Sequence, residues 1–212
     1  MKPVRSLLAV LALSSAALGA TDSGDELAPG SIGAWAPLVG ALAAKGPIRA
    51  DFVERRYFPF RREPTSLKGI LRISPQHGLS LQYTEPESSV LIADEGGLIL
   101  RDREGHSREM PSVSRESGAI TALLPIMRFD LPALFPRFII HALRTGGAWK
   151  FEFTPRDREA AGSLGSIAVS GSGTEVSHLE FRRSASQRVE IDVSGTATGL
   201  VFTPAELARF FR

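Results

Sequence analysis

Between Leu67 and Tyr83 the chain alternates in a way that extended backbone uses best. Leu67, Leu71 and Ile73 fall on one side of a strand, and Leu79, Leu81 and Tyr83 on one side of the next, because strand side chains alternate with a period of two. Thr84-Glu85-Pro86 then leads into the apolar stretch Ser89 to Asp94, and Gly96-Gly97 turns the chain back into Leu98 to Leu100. Successive strands of this kind build a curved antiparallel sheet with a greasy concave face. Such a face suits carrying something apolar better than cutting something polar.

The compartment decides what that face meets. Lys2 and Arg5, the apolar core Leu7 to Leu13 and the small residues around Ala17-Leu18-Gly19 predict a cleaved signal peptide over 1–19, because the core is too short to span a bilayer. Residues 20–30, with Asp, Ser, Gly and Pro, read as a flexible leader, and 31–212 as one domain. The chain has no cysteine, which excludes a lipidated cysteine, a disulfide framework and a thiolate metal site. A periplasmic monomer with no integral membrane segment after signal cleavage is expected. Removing Lys2 and Arg5 from 25 Lys+Arg leaves 23, against 23 Asp+Glu. The mature domain is near neutral, so bulk charge favours no nucleic-acid partner.

Ile32, Trp35, Leu38, Val39 and Leu42 recur at helical spacing behind Ser31, which predicts an amphipathic helix capped by that serine. Ile48 to Tyr57 reads as a strand ended by Pro59. Over 119–138, Leu123, Leu124 and Met127, then Leu131, Leu134 and Phe135, sit at helical intervals on either side of Asp130, a cap between two helices that Pro125, Pro132 and Pro136 keep short. Gly146-Gly147 joins a strand over Phe138 to Thr145 to the strictly alternating Ala148 to Phe153. Ser166 to Ser170, Val176 to Arg182, Gln187 to Val193 and Gly199 to Phe202 predict further short strands. Thr203-Pro204-Ala205-Glu206 is a capping-box sequence with proline at the first helical position, so Ala205 to Phe211 is a terminal helix. Its Leu207, Phe210 and Phe211 need a surface to cover.

Several of these segments carry a resemblance in their order and spacing. They are Phe52 after the leading helix, Leu67-Lys68-Gly69-Ile70-Leu71 with Pro75, Leu81-Gln82-Tyr83 with Glu85-Pro86, and Val90 to Asp94 before Gly96. The helical insert, Trp149 to Pro155, and Phe202 with Pro204 complete the set. The chain resembles, over most of its mature length, the LolA-like family of periplasmic lipoprotein and lipid carriers. The resemblance implies a mainly β fold: an incomplete, strongly curved antiparallel barrel with short helices forming a lid over a hydrophobic cavity.

It also implies binding without catalysis or cofactor. Acyl chains of a lipoprotein or lipid would be taken from an inner-membrane transporter and handed to an outer-membrane acceptor. The positions that match are Leu71, Leu81, Tyr83, Leu91, Trp149, Phe151 and Phe153 for the cavity, with Leu123, Leu124, Met127, Leu134 and Phe135 for the lid. In the family's carriers an arginine precedes the proline that corresponds to Pro75 and ties the lid shut. Here that place is Ser74, which marks a divergent member and points to other lipids or glycolipids as cargo.

Physics permits such carriage, since each buried methylene contributes ~0.8 kcal/mol and no polar constellation is required. The same residues would also serve as the core of a barrel filled by its own side chains. Nothing in the motifs favours an enzyme. His77, His106, His141 and His178 are dispersed without metal-ligand spacing, there is no Gly-x-Ser-x-Gly elbow, and Gly171-Ser172-Gly173 reads as a loop. Asp94, Asp102 and Glu104 surround glycine turns, where carboxylates are solvated, and His141 is read as facing the barrel interior. No catalytic, metal or cofactor residue is expected.

Arg55, Arg56, Arg61 and Arg62 flank Tyr57-Phe58-Pro59-Phe60. Arg56, Phe58, Phe60 and Arg61 are thus candidates for resting on anionic headgroups or docking a transporter, with a solvated strand face as the plainer alternative. A lipid-sensing or protein-docking module of the same shape is the second functional reading, and a secreted hydrolase the third.

Overall fold

Two meanders of hairpins lie side by side in a single sheet. The computed structural model describes residues 24–110 and 122–212, so the segment read as a signal peptide and the first residues of the helical insert lie outside the described residues. The first meander runs through β2 (Ile48–Tyr57), β3 (Thr65–Ser74), β4 (Gly78–Glu85), β5 (Ser89–Asp94), β6 (Gly97–Arg101) and β7 (Ser107–Met110). The second runs through β8 (Phe138–Thr145), β9 (Ala148–Pro155), β10 (Ser166–Ser172), β11 (Glu175–Ser184) and β12 (Gln187–Thr198). Antiparallel pairing of β12 with β2 fuses them, and a strand at the start of the described chain, β1 (Asp25–Leu27), pairs with β8. The order is β1-β8-β9-β10-β11-β12-β2-β3-β4-β5-β6-β7, a twelve-stranded antiparallel sheet whose ends do not meet. It is the open, mainly β architecture expected from the sequence.

This topology dictates where the helices go. β7 and β8 lie towards opposite ends of the sheet, and the described part of the chain between them lies on the apolar side. It carries α2 (122–127) and α3 (Leu131–Leu134), with Asp130 capping α3 by accepting from the Ala133 N–H. The path from β1 to β2 also crosses this face, through a 3-10 turn at Gly33–Trp35 and α1 (Ala36–Ala43). Alternation does the rest: Ala50 and Phe52, Leu71 and Ile73, Leu79 and Leu81, Phe151 and Phe153, and Ile167 and Val169 all point into one continuous core with the helices.

The outer face has its own smaller core. The Thr203 capping box forms in full and starts α5 (Pro204–Phe210), whose Phe210 and Phe211 cover Val90, Ile92, Ile99 and Phe202. That is the surface the sequence required for its terminal aromatics.

Several elements differ from the sequence reading. Ser31 does not cap the first helix; its N–H donates to the Ala28 carbonyl in a local turn, and neither the 3-10 turn nor α1 has a side-chain cap. The segment read as leader holds β1, which pairs with β8, buries Leu27 in the core and binds Trp35 through Asp25. Gly199 to Phe202 is not a strand, because β12 itself runs on to Thr198 past a register irregularity, leaving Phe202 to pack beneath α5. Finally, β7 and the helix α4 (Arg158–Leu164), capped by Asp157, had no expectation against them.

Candidate functional site

The concave face is a trough that is filled at one end and hollow at the other. At the filled end β9 presents Trp149, Phe151 and Phe153, and rings from the crossing segments seat on them. Trp35 meets Phe151 edge to face at 5.2 Å, and Phe129 reaches both Trp149 (6.0 Å) and Phe151 (5.8 Å). Phe129 holds a left-handed backbone with φ 51°, an unfavourable conformation for a bulky residue that its buried ring contacts offset. The indole N–H groups are satisfied too, Trp35 donating to Asp25 (3.1 Å) and Trp149 to the Gly173 carbonyl (2.8 Å).

At the hollow end a cavity of about 490 Å³ opens between β2–β6 and β11–β12. Its apolar wall includes Leu67, Leu81, Leu91, Leu100, Leu123 and Phe181. A size of this order is typical of small-molecule sites, which span about 300–1,000 Å³. Deeper in, Phe52, Leu71, Met127 and Leu179 surround a void of only about 10 Å³, room for a single water at most.

Three of the polar side chains in the cavity wall bond to one another. In β2, residues 50, 52, 54 and 56 point inward, which brings Glu54 and Arg56 to the trough. Glu54 is 3 % exposed. Tyr83 Oη donates to its Oε2 at 2.7 Å, Arg56 Nε donates to its Oε1, and Arg56 Nη2 donates to Tyr83 Oη at 3.4 Å. Burial works against the Arg56 charge, but the Glu54 carboxylate outweighs it and holds the guanidinium pKa above its ordinary value. Burial first, and then the same carboxylate, push the Tyr83 phenol strongly up, so it stays protonated as a donor. A buried carboxylate is tolerable only with its oxygens paired in this way. Glu54 was missed in the sequence, although its parity with Phe52 was the available signal.

Of the residues singled out beforehand, the structure places Leu81, Tyr83, Leu91 and Leu123 in the wall of the large cavity, and Leu71, Leu81, Leu123 and Met127 around the small void. Trp149, Phe151 and Phe153 are not among the lining residues of either space; Trp35 and Phe129 cover the first two, and Phe138 meets Phe153 edge to face. Leu124 and Leu134 are buried in the core under the insert, and Phe135 is packed partly against it.

The insert is fastened at Pro75. Arg128 Nη2, just beyond α2, donates to the Pro75 carbonyl in the β3–β4 turn at 2.8 Å. Ser74, the residue before that proline, accepts from the His77 N–H (3.2 Å). Arg72 faces the outer side, its guanidinium 3.6 Å from the centre of the Phe210 ring.

The proposed docking group divides. Phe60 is 100 % exposed and Phe58 43 %, with Arg61 held by Thr65 and its guanidinium 5.8 Å from the Phe58 ring centre. Arg56 does not join them; it turns inward to Glu54, as its strand parity requires. Phe58 also borders the cavity.

The histidines and turn carboxylates do not converge. His141 faces away from the interior, since its neighbours Ile140 and Ala142 hold the inward positions. His178 pairs with Asp192 and His106 with Asp102, while Asp94 is bound by Arg212 and Glu104 by Arg103. Among the described residues no cluster of three or more His, Cys, Asp or Glu is placed to hold a metal, and no helix is long and apolar enough to cross a membrane.

No family model matches the chain, and no curated protein does. Solved structures do. A LolA superfamily protein from Nitrosomonas europaea is similar over 84% of this chain and 97% of its own, with 9% identity and a TM-score of 0.44. A putative outer membrane lipoprotein-sorting protein domain from Vibrio parahaemolyticus covers 80% of this chain and 92% of its own, with 8% identity and a TM-score of 0.45. A DUF1329 family protein from Desulfovibrio piger has the same two coverages, 80% and 92%, with 8% identity and a TM-score of 0.48.

Proposed function

We propose that this protein is a periplasmic carrier that binds the acyl chains of a lipoprotein or lipid in the hollow end of its trough and moves them towards the outer membrane. The observation that carries this reading is the cavity of about 490 Å³, whose lining includes six leucines together with charged and polar side chains. Each methylene that leaves water for such a wall contributes ~0.8 kcal/mol, so a chain of ordinary length is held without any directed polar contact. Leu81, Leu91 and Leu123 meet the chain, with Tyr83 and Arg56 near its polar end. The insert carrying Leu123, Leu124, Met127, Leu134 and Phe135 is the lid that must yield for loading.

Docking belongs to the Phe58–Arg61 turn beside the mouth. A fully exposed Phe60 next to cationic Arg61 suits a headgroup surface or a transporter that donates the cargo. Native mass spectrometry of the protein taken from a periplasm, before and after solvent extraction, tests the reading. A released acyl lipid or lipoprotein supports it. A clean apo mass together with no uptake of a fluorescent acyl probe rejects it in favour of a protein-docking or sensory module.

A further inference from the structure

Three arginines gather on the outer face of the sheet, on the side away from the cavity. Arg49 of β2 and Arg72 of β3 stand directly opposite each other in the strand register, a like-charge pairing that by itself destabilises a sheet. Arg72 is 3 % exposed and its guanidinium lies 3.6 Å from the centre of the Phe210 ring, while that of Arg209, on the same helix as Phe210, lies 5.3 Å from the same centre. Among the described residues, none of the three side chains makes a hydrogen bond or an ion pair, and Arg72 Nε and Nη1 are buried without an acceptor. Such a group is costly to leave unsatisfied.

The acceptors nearest on β4 do not bond Arg72: Ser80 Oγ, opposite it in the register, and Gln82 Oε1 are themselves buried without a partner. Glu206 is the carboxylate coupled to Arg72 and Arg49, yet its Oε2 is already taken by the Thr203 backbone N–H (2.9 Å) and hydroxyl (3.0 Å) of the capping box. Burial, and next the charge of Arg49, press the Arg72 pKa down to about 10. Three guanidinium charges against one committed carboxylate leave the patch short of about two negative charges. Arg49 and Arg209 are exposed, so a ligand approaches from solvent.

We infer that Arg49, Arg72 and Arg209 form a binding site for a doubly charged oxyanion of the phosphomonoester class on the outer face beside α5. Guanidinium forks match phosphate oxygens in charge and in donor geometry. The same chemistry is offered by free phosphate and by a lipid phosphomonoester headgroup.

The test titrates the purified protein with inorganic phosphate at constant ionic strength by calorimetry, and floats it with phosphatidylcholine vesicles with and without phosphatidate. Wild type is compared with R72M and with the doubly exchanged R49Q/R209Q, whose two sites are exposed and do not endanger folding. Saturable one-to-one phosphate binding that weakens about tenfold or more in R49Q/R209Q, and disappears in R72M, is the expected result. Phosphate binding without vesicle binding assigns the free anion; phosphatidate-dependent flotation lost in R49Q/R209Q assigns the headgroup. Heats that do not saturate and are identical in R49Q/R209Q, with no phosphatidate-dependent flotation, overturn the site even if R72M fails to fold.

Discussion

The rings of Phe52 and Tyr83 meet edge to face, 5.4 Å apart at 88°, across Gly69. Gly69 pairs with Phe52 on one side and with Tyr83 on the other, so the missing side chain is what lets the two rings touch. A Cβ there would sit 2.0 Å from the Gln82 carbonyl oxygen and 2.7 Å from the Phe52 ring. Gly69→Ala is therefore expected to cost at least ~2 kcal/mol, because backbone blocks one direction of escape and a packed ring the other. A urea midpoint equal to wild type would show that the sheet yields there.

Leu91→Trp puts a large ring into the hollow end, where Leu91 lines the cavity. Uptake of a fluorescent acyl probe should fall about tenfold, while the melting temperature changes little because space is available. Equal uptake by Leu91→Trp would place the cargo elsewhere.

Arg128 is the side chain that fastens the insert to the β3–β4 turn through the Pro75 carbonyl. Its replacement by alanine removes one charge-assisted hydrogen bond, worth about 1–3 kcal/mol, and that loss falls on the insert alone. Amide exchange over 122–134 should accelerate, with the protection of β9 and β10 unchanged. Uniform exchange across both regions would mean that the insert opens only with the whole fold.

The double variant Phe58→Ser/Phe60→Ser should lose binding to anionic vesicles while keeping its thermal transition, since Phe60 is fully and Phe58 nearly half exposed. Undiminished sedimentation with vesicles would reject docking through this turn.

Acid sensitivity is expected at Asp192. Its carboxylate accepts from His178 Nδ1 (2.7 Å) and Arg55 Nη1 (2.7 Å), and the His178 hydrogen bond, followed by burial acting the other way and then by Arg55, leaves its pKa below the ordinary carboxylate value. A depressed folded pKa stabilises above the unfolded value of about 3.9, and that stability is lost as pH falls through the folded value. Asp192→Asn should accordingly be less stable than wild type by a constant amount near neutrality, and the gap should close on acidification. Chemical denaturation at several pH values measures it; a gap that persists into acid would mean that the Asp192 charge is not its source.

What could be read in the sequence was whatever follows from local period and local caps. The inward sets of β3, β4 and β9 were visible as every-second-residue patterns, and the Asp130 and Thr203 caps as side chains at fixed offsets. Elements that owe little to side-chain pattern were not visible. β1 offers Leu27 as its one apolar residue and pairs with β8, and β7 offers only Met110. Parity corrected two placements, turning Arg56 inward and His141 outward. Which part of the trough is hollow was out of reach, because Trp35 and Phe129, which cover Trp149 and Phe151, come from other segments of the chain. The Arg128–Pro75 tie was hidden for the same reason: it joins residues 53 positions apart, and only one of them is a proline that any pattern would flag.

The trough's division into a ring-packed end and a leucine-walled end separates two selective pressures. Substitutions among Trp35, Phe129, Trp149 and Phe151 are judged by whether the molecule survives at all, whereas exchanges among Leu67, Leu91 and Leu100 alter mainly the shape of an empty space. Such a molecule is free to reshape its cavity by drift at a handful of aliphatic positions, without renegotiating the architecture that holds them.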